Sequence, residues 1–476
     1  MDQPEAMETP PRLGAGGPGG PRDLTTGPIG KTLLLFMLPI MGAQLLQSLN
    51  ASVNAIWVSH LLGETGLTAT ANATIIIFFL LGTVFGVTMA TSLLVAQAVG
   101  AQNMVQVKRV VGTTATFFLI FSVVISAIGF VATPVILDAM HTPADARAEA
   151  IEYLRVIFIA APAMMMFAYV QTVQRGAGDS RTPLYFSVLS VALDILLNPF
   201  LIAGYGPFPK LGIAGSALAT LTAQLIALGA TFFWLRRINS PLLLRRPEWG
   251  YFKMDRAILN SLITRGLPMG AQMLVISGAA IVMLSLVNGY GVPTAAAYGA
   301  SSVLWNYLQM PAMAVGMAVS AMAAQNVGAK RWDRVEKMAF EALKLSVAAT
   351  AIPVLVIHAL HRPILGLLLP AGSPSIEIAL DINNHVMWSY VIFATTFAFT
   401  SIVRATGAVV PPLVILGVTM WLVRVPVAAW ASRYYGPAAI WWSFPVSAFC
   451  SATLSYLYYR FGGWRRARLI ESPATP

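Results

Sequence analysis

Long apolar runs, separated by short polar breaks, recur along almost the whole chain, and no other feature limits its fold so severely. They lie at 32–59, 68–99, 110–137, 150–174, 183–204, 212–235, 259–289, 293–326, 338–360, 378–403, 411–432 and 436–460. A helix needs about 20 apolar residues to cross a bilayer. Only helices and closed barrels satisfy their own backbone there, so all twelve runs are expected to be helices. Several exceed that length, which predicts tilt or kinks. The chain is 57% apolar and 10% charged, where a soluble domain carries about 25% charged residues. The expected fold is an all-α integral membrane protein with twelve transmembrane helices.

The net charge of +11 suggests nucleic acid until its placement is examined. Of the 30 Lys and Arg residues, 24 fall in the two tails and in the even-numbered connections or the run ends beside them, five at the odd-numbered ones, and Arg424 inside the eleventh run. Basic loops stay cytoplasmic, so both termini are expected inside and the charge reports orientation. The partners expected are the lipid bilayer and a small molecule, with no nucleic acid. Residues 1–30, rich in Pro and Gly, read as a disordered cytoplasmic tail without a cleavable signal peptide. The single Cys450 excludes an internal disulfide framework.

The longest inner connection, 236–258, separates six runs from six. Across it the sequence repeats. Leu38-Pro39 through Gly42-Ala43-Gln44 answers Leu267-Pro268 through Gly270-Ala271-Gln272. Ala96-Gln97-Ala98-Val99-Gly100-Ala101 answers Ala324-Gln325-Asn326-Val327-Gly328-Ala329, and Arg175-Gly-Ala-Gly178 answers Arg404-Ala-Thr-Gly407. The offset is 228 or 229 residues at all three places. An even six-helix repeat keeps its orientation, so 31–235 and 259–460 are expected to form two six-helix bundles related as parallel repeats, followed by a cytoplasmic tail at 461–476. A cleft is expected between them near the midplane.

Of the 19 carboxylates, the spans leave only Asp194 at membrane depth, near the middle of the fifth run. A charge there costs about 3 kcal/mol on insertion scales. Asp194 must therefore face protein or water, and it is the candidate to take up and give back a proton. Asn198 shares its helix face four residues on. Pro199 follows, lacks an N–H and marks a hinge. Adding 230 to Asp194 lands on Arg424, within one residue of the repeat register, and Pro426 follows it as the matching hinge. Gln44, Gln47, Asn50 and Asn54 fall near one face of the first helix and are expected to line the cleft. Their alternative role is to join helices by amide hydrogen bonds. Arg424, also counted as cleft-lining, has three readings: a residue snorkelling or held by a local partner, an anion contact, and a counter-charge for Asp194.

Together these features resemble the multidrug and toxic compound extrusion (MATE) family over residues 30–460. Leu38-Pro39 through Gln44-Leu-Leu-Gln47 and Val53-Asn54-Ala-Ile-Trp57-Val58-Ser59 look like its opening helix. The Gln-Ala-Val-Gly-Ala stretch at 97–101, its partner Gln325-Asn-Val-Gly-Ala329 and the Arg-x-x-Gly turns match further landmarks. The resemblance implies two bundles in a V, alternating access, and export of drugs or toxic compounds driven by inward flow of H⁺ or Na⁺. It places the chain nearer the DinF-like branch than the NorM-like branch. Three departures stand out. Family members usually carry an acid in the first helix, where this chain has Asn54. The acids of Na⁺-linked members in spans seven and ten are missing. The Asn then Asp often found in the fifth helix is exchanged, as Asp194 then Asn198.

The sequence is thus read as a monomeric H⁺-coupled multidrug antiporter of the bacterial inner membrane, with Na⁺ as the second candidate ion and no cofactor. A flippase for lipid-linked sugars, from the same wider superfamily, would want more basic residues in the cleft. A polytopic membrane enzyme would need several ionisable groups at one depth. No Gly-rich loop ending in Gly-Lys-Ser/Thr and no His-Glu-x-x-His occurs, which argues against ATP-driven export and a metalloprotease. His358, His361 and His385 show no metal-ligand spacing.

Overall fold

In the computed structural model, residues 21–467 are described apart from 141, 143, 207 and 371, as are their side chains save those of 64–69, 71–75, 77–81, 83, 144 and 146. No β-strand occurs among the described residues. The helices are α1 (Ile29–Gly100), α2 (Met104–Ala139), α3 (Ala144–Gly176), α4 (Arg181–Ala203), α5 (Gly212–Arg237), α6 (Arg256–Asn288), α7 (Val292–Gly328), α8 (Trp332–Leu368), α9 (Pro374–Val386), α10 (Ser389–Ala405), α11 (Val410–Gly417), α12 (Val425–Tyr435) and α13 (Ala438–Phe461).

Among the described residues nine helices are long and apolar enough to cross a membrane, or ten if α9 and α10 form one span bent by 43°. The expected twelve runs are therefore divided differently. The first two continue as the 72-residue α1, broken at Gly63, whose φ of 75° and ψ of −159° leave the helical region. The eleventh is three pieces, because a π-helical turn, Val418–Arg424, joins α11 to α12. Pro426 follows that turn after one residue, Val425. A proline has no N–H for the α-helical ladder, and the wider register takes up the misfit. Pro199, in contrast, sits inside an uninterrupted α4.

Both halves meet at their basic end. One core there takes Leu93, Val95 and Val107 from the first half and Leu262, Ala318 and Ala324 from the second. Towards the other end the cores separate: Leu137, Leu154 and Ile213 pack in the first half, and Val287, Leu304 and Trp441 in the second. The halves therefore diverge away from the basic face.

The repeated sequence motifs make this joint. Gly100, closing α1, lies so close to α7 that a Cβ on it would stand 1.9 Å from the carbonyl oxygen of Gln325. Its counterpart Gly328 lies against Gln97, where a Cβ would stand 2.0 Å from the carbonyl oxygen. Gln97 Nε2 donates to the Ala405 carbonyl at 2.7 Å. Gln325 Nε2 donates to the Gly176 carbonyl at 3.2 Å. These two bonds are equivalent under the repeat, and both cross between the halves. The Arg-x-x-Gly turns beside them need glycine, because Gly178 and Gly407 have φ of 89° and 101°.

The end of the N-terminal segment packs on this joint. Residues 1–20 lie outside the described residues, but 22–26 form a strap across the joint. The Arg22 N–H donates to the Ala177 carbonyl at 2.8 Å, and the Leu24 N–H to Gln325 Oε1 at 3.0 Å. Arg331 Nη1 donates to the Thr25 carbonyl at 2.8 Å. Leu24 is 4% exposed. Burial pushes the Asp23 carboxyl up, but hydrogen bonds from Thr25 and Thr26 and the Arg331 charge outweigh it and hold Asp23 below its ordinary value. A depressed carboxylate stabilises the folded state above its unfolded pKa and loses that stabilisation only as pH falls through the folded value. Limited proteolysis near the N-terminus should therefore be equally slow at pH 5 and pH 8. Leu24→Ala should weaken strap docking by roughly 2–5 kcal/mol and speed cleavage at both pH values.

Candidate functional site

Asp194 is 2% exposed, inside the first half. Three helices converge on it. Asn50 Nδ2 of α1 donates to Asp194 Oδ2 at 2.7 Å. Thr220 Oγ1 of α5 donates to Oδ1 at 3.0 Å, and Asn198 Nδ2, one turn along α4, donates to Oδ1 at 3.2 Å. Asn198 Nδ2 also donates to the Asp194 backbone carbonyl at 2.9 Å. Asn54, one turn beyond Asn50, accepts from Ser216 Oγ of α5 at 3.3 Å. Asp194, Asn198, Asn50 and Asn54 thus form one polar seam with Ser216 and Thr220. Among the described residues every hydrogen-bond donor to the carboxylate is neutral.

The other two members of the α1 stripe are placed differently. Gln47 is exposed, and Gln44 is half-buried with an amide nitrogen that has no hydrogen-bond partner. Ser216 and Thr220 were not among the residues expected at the site. Their four-residue spacing on a helix of small residues was the available signal, a polar ridge on one face.

Arg424 lies in the second half and makes no ion pair with Asp194. Its Nε donates to Ser447 Oγ of α13 at 2.8 Å, and its guanidinium sits 4.4 Å from the ring centroid of Phe444. It borders a chamber of about 430 Å³ lined by Tyr298, Trp305, Asn306, Tyr390 and Phe444, among others. Trp305 is held from behind by its Nε1 donating to Asn383 Oδ1 at 3.0 Å. The charged residue of the fifth run is therefore met by a hydroxyl of the sixth in both halves: Thr220 for the acid, Ser447 for the base. Tyr298, Tyr390 and Phe444 come from three different helices, so no local spacing could have grouped them.

A duplicated helical protein with nine helices among its described residues long and apolar enough to cross a membrane belongs to the class of multi-pass membrane proteins. The MatE family matches this chain twice, over residues 39–200 and 268–430, and the chain belongs to that family of multidrug transporters, which are not enzymes. The two matches begin 229 residues apart, reproducing the internal offset. Probable multidrug resistance protein YoeA of Bacillus subtilis is 33% identical over 443 residues, covering 93% of this chain and 95% of that protein. Probable multidrug resistance protein YpnP of Bacillus subtilis is 29% identical over 450 residues, covering 94% and 98%. Among solved structures, the outward-facing conformation of a multidrug resistance MATE family transporter of the MOP superfamily superposes with a TM-score of 0.84 at 21% identity, covering 92% of this chain and 96% of that one.

Proposed function

We propose that this protein is an H⁺-coupled antiporter of drug-like small molecules that works by alternating access, with Asp194 carrying the proton. The observation that supports this most directly is a buried carboxylate whose hydrogen-bond donors are all neutral and come from three helices. An ionised carboxylate accepts from all three; a protonated one must donate through one oxygen. Proton uptake therefore changes the bonding between α1, α4 and α5. Pro199, directly after Asn198, and Pro426, beyond the π-helical turn, are the hinges proposed for the two halves. Na⁺ is the second candidate ion, since carboxylate, amide and hydroxyl oxygens also suit a hard cation.

The proposed topology has twelve spans in two six-helix bundles. The part of α1 beyond Gly63 and α13 add to the ten counted with the bent pair. By the positive-inside rule the basic joint is cytoplasmic, so the halves diverge outward. The protein is placed in the bacterial inner membrane as a monomer with both termini inside. The absence of acids from Ile276–Val287 and Trp388–Val403 supports the DinF-like branch.

The test is substrate movement in proteoliposomes under an imposed H⁺ or Na⁺ gradient. Accumulation driven by Na⁺ alone, with none driven by H⁺, would remove the proton from this reading. The chamber beside Arg424 is proposed to hold aromatic substrate, so Arg424→Met should change the affinity of aromatic substrates by about 0.5–2 kcal/mol, the range of a cation–π contact. Equilibrium binding to the purified variant checks this.

A further inference from the structure

A pair of cavities lies on the flank of the first half, lined by none of the residues of the Asp194 seam or the Arg424 chamber. One, of about 610 Å³, runs between α3 and α5 and is lined almost wholly by apolar side chains, including Met166, Val170, Leu225 and Phe232. The other, of about 620 Å³, is bordered by Arg236, Arg245, Arg246 and Trp249. They share Phe232, Leu243 and Leu244, so the apolar slot opens into the basic basin.

Three features point to an occupant. Among the described residues the Arg236 and Arg246 side chains make no hydrogen bond or ion pair, and the Arg245 side chain donates to the neutral Asn239 side chain at 3.2 Å. The nearby acid Glu248 pairs with Lys108 and accepts from the Arg245 backbone N–H at 3.0 Å. The basin therefore sets three arginines against one acid that Lys108 already shares, and it stays net positive. Gln174, 1% exposed, lines the slot, and neither its amide nitrogen nor its amide oxygen has a hydrogen-bond partner. From Leu225 to Leu235 the slot follows α5 for ten residues, about 15 Å at 1.5 Å per residue. That is half of a hydrocarbon core of about 30 Å, the depth of one leaflet. Leu225 and Phe232 are 49% and 53% exposed, so the slot is open on its membrane side. Trp249, 59% exposed beside the arginines, is the side chain expected at a headgroup boundary.

We propose that this cleft binds one anionic phospholipid of the cytoplasmic leaflet. Its phosphate lies in the Arg236–Arg245–Arg246 basin, its ester region meets the Gln174 amide, and one acyl chain fills the slot between α3 and α5. Basic pockets on the cytoplasmic face suit anionic headgroups, and the apolar slot selects a lipid over a free anion. The proposal needs membrane embedding only and stands apart from the assignment of Asp194.

The test uses the full chain, purified and delipidated in detergent. Phosphatidylglycerol, phosphatidylcholine with the same chains, and inorganic phosphate are added separately. Retained lipid is read by native mass spectrometry and thermal stability by the melting temperature. Phosphatidylglycerol should be retained and raise the melting temperature, phosphatidylcholine should bind at least about tenfold more weakly, and phosphate alone should change nothing. Replacing all three arginines by Gln should weaken phosphatidylglycerol retention at least about tenfold, and replacing them by Lys should restore most of it. Gly229→Leu places its Cβ where no heavy atom lies within 4 Å. It should fill the slot and weaken retention while leaving the basin intact. Equal retention of the two lipids, full retention by the Gln variant or by Gly229→Leu, or a phosphate effect equal to that of phosphatidylglycerol would each overturn the proposal.

Discussion

Asp194→Asn is expected to abolish uphill export while leaving downhill exchange. The substitution keeps the size of the side chain and its place among Asn50, Asn198 and Thr220, so the packing of α1, α4 and α5 survives. It removes the one group in the seam that can exchange a proton. A gradient of one pH unit is worth about 1.4 kcal/mol per proton, enough for about tenfold accumulation at one proton per substrate. In proteoliposomes the wild type should approach that ratio and the variant should stay at one. Counterflow driven by the substrate's own gradient should persist in both. Accumulation by the variant equal to wild type would show that another group carries the ion.

The second large effect is expected at the basic joint. A Cβ on Gly100 would stand 1.9 Å from the Gln325 oxygen and 2.6 Å from its carbonyl carbon, closer than non-bonded atoms approach. Both are backbone atoms, so no side-chain rotation relieves the clash. Gly100→Val should therefore disfavour the closed joint by about 1–3 kcal/mol, the usual range for overpacking. That corresponds to roughly one to two orders of magnitude in the open-to-closed ratio. Gly328→Val, at the pseudo-symmetric position, should act alike. Maleimide labelling from the cytoplasmic side checks this, with Ala324→Cys as reporter in a Cys450→Ala background. Ala324 is fully buried in the wild-type joint, so labelling should accelerate in either variant. An unchanged rate would mean that this contact does not gate access.

The two experiments address different links in one cycle. Asp194 concerns what drives the change of state, and the glycines concern the contact that must break for it to occur. The strap of residues 22–26 adds a further constraint at the same contact, because it bonds to the turn after α3 through Ala177, to α7 through Gln325 and to the turn before α8 through Arg331.

Much of this architecture can be read without coordinates, for a physical reason. Transfer of a segment into hydrocarbon depends on its own residues, so apolar runs mark helices wherever they fall. The offset of 228 or 229 residues exposes the duplication, since both copies kept the same Gln and Gly residues. The Asp194–Asn198 pair is equally local, one helical turn apart on one face. Even the isolation of Asp194 is legible in the sequence, because the other carboxylates that enter the apolar runs, Glu152, Glu341 and Asp381, lie within four residues of a run's end.

Contacts between helices are a different matter, because they depend on the rotation, tilt and crossing of segments far apart in the chain. The α1 stripe of Gln44, Gln47, Asn50 and Asn54 is continuous in sequence, yet only Asn50 and Asn54 join the seam with α4 and α5. Arg424 matches Asp194 in the repeat register, and that equivalence keeps them apart: a parallel repeat places each charge within its own half. The Gln-x-x-Gly motifs announce a duplication, but a glycine's need for close approach appears only when a second backbone lies against it. Hydropathy settles which segments enter the membrane; the packing of one half against the other settles which polar groups meet, which face is sealed, and where charge is left without a partner.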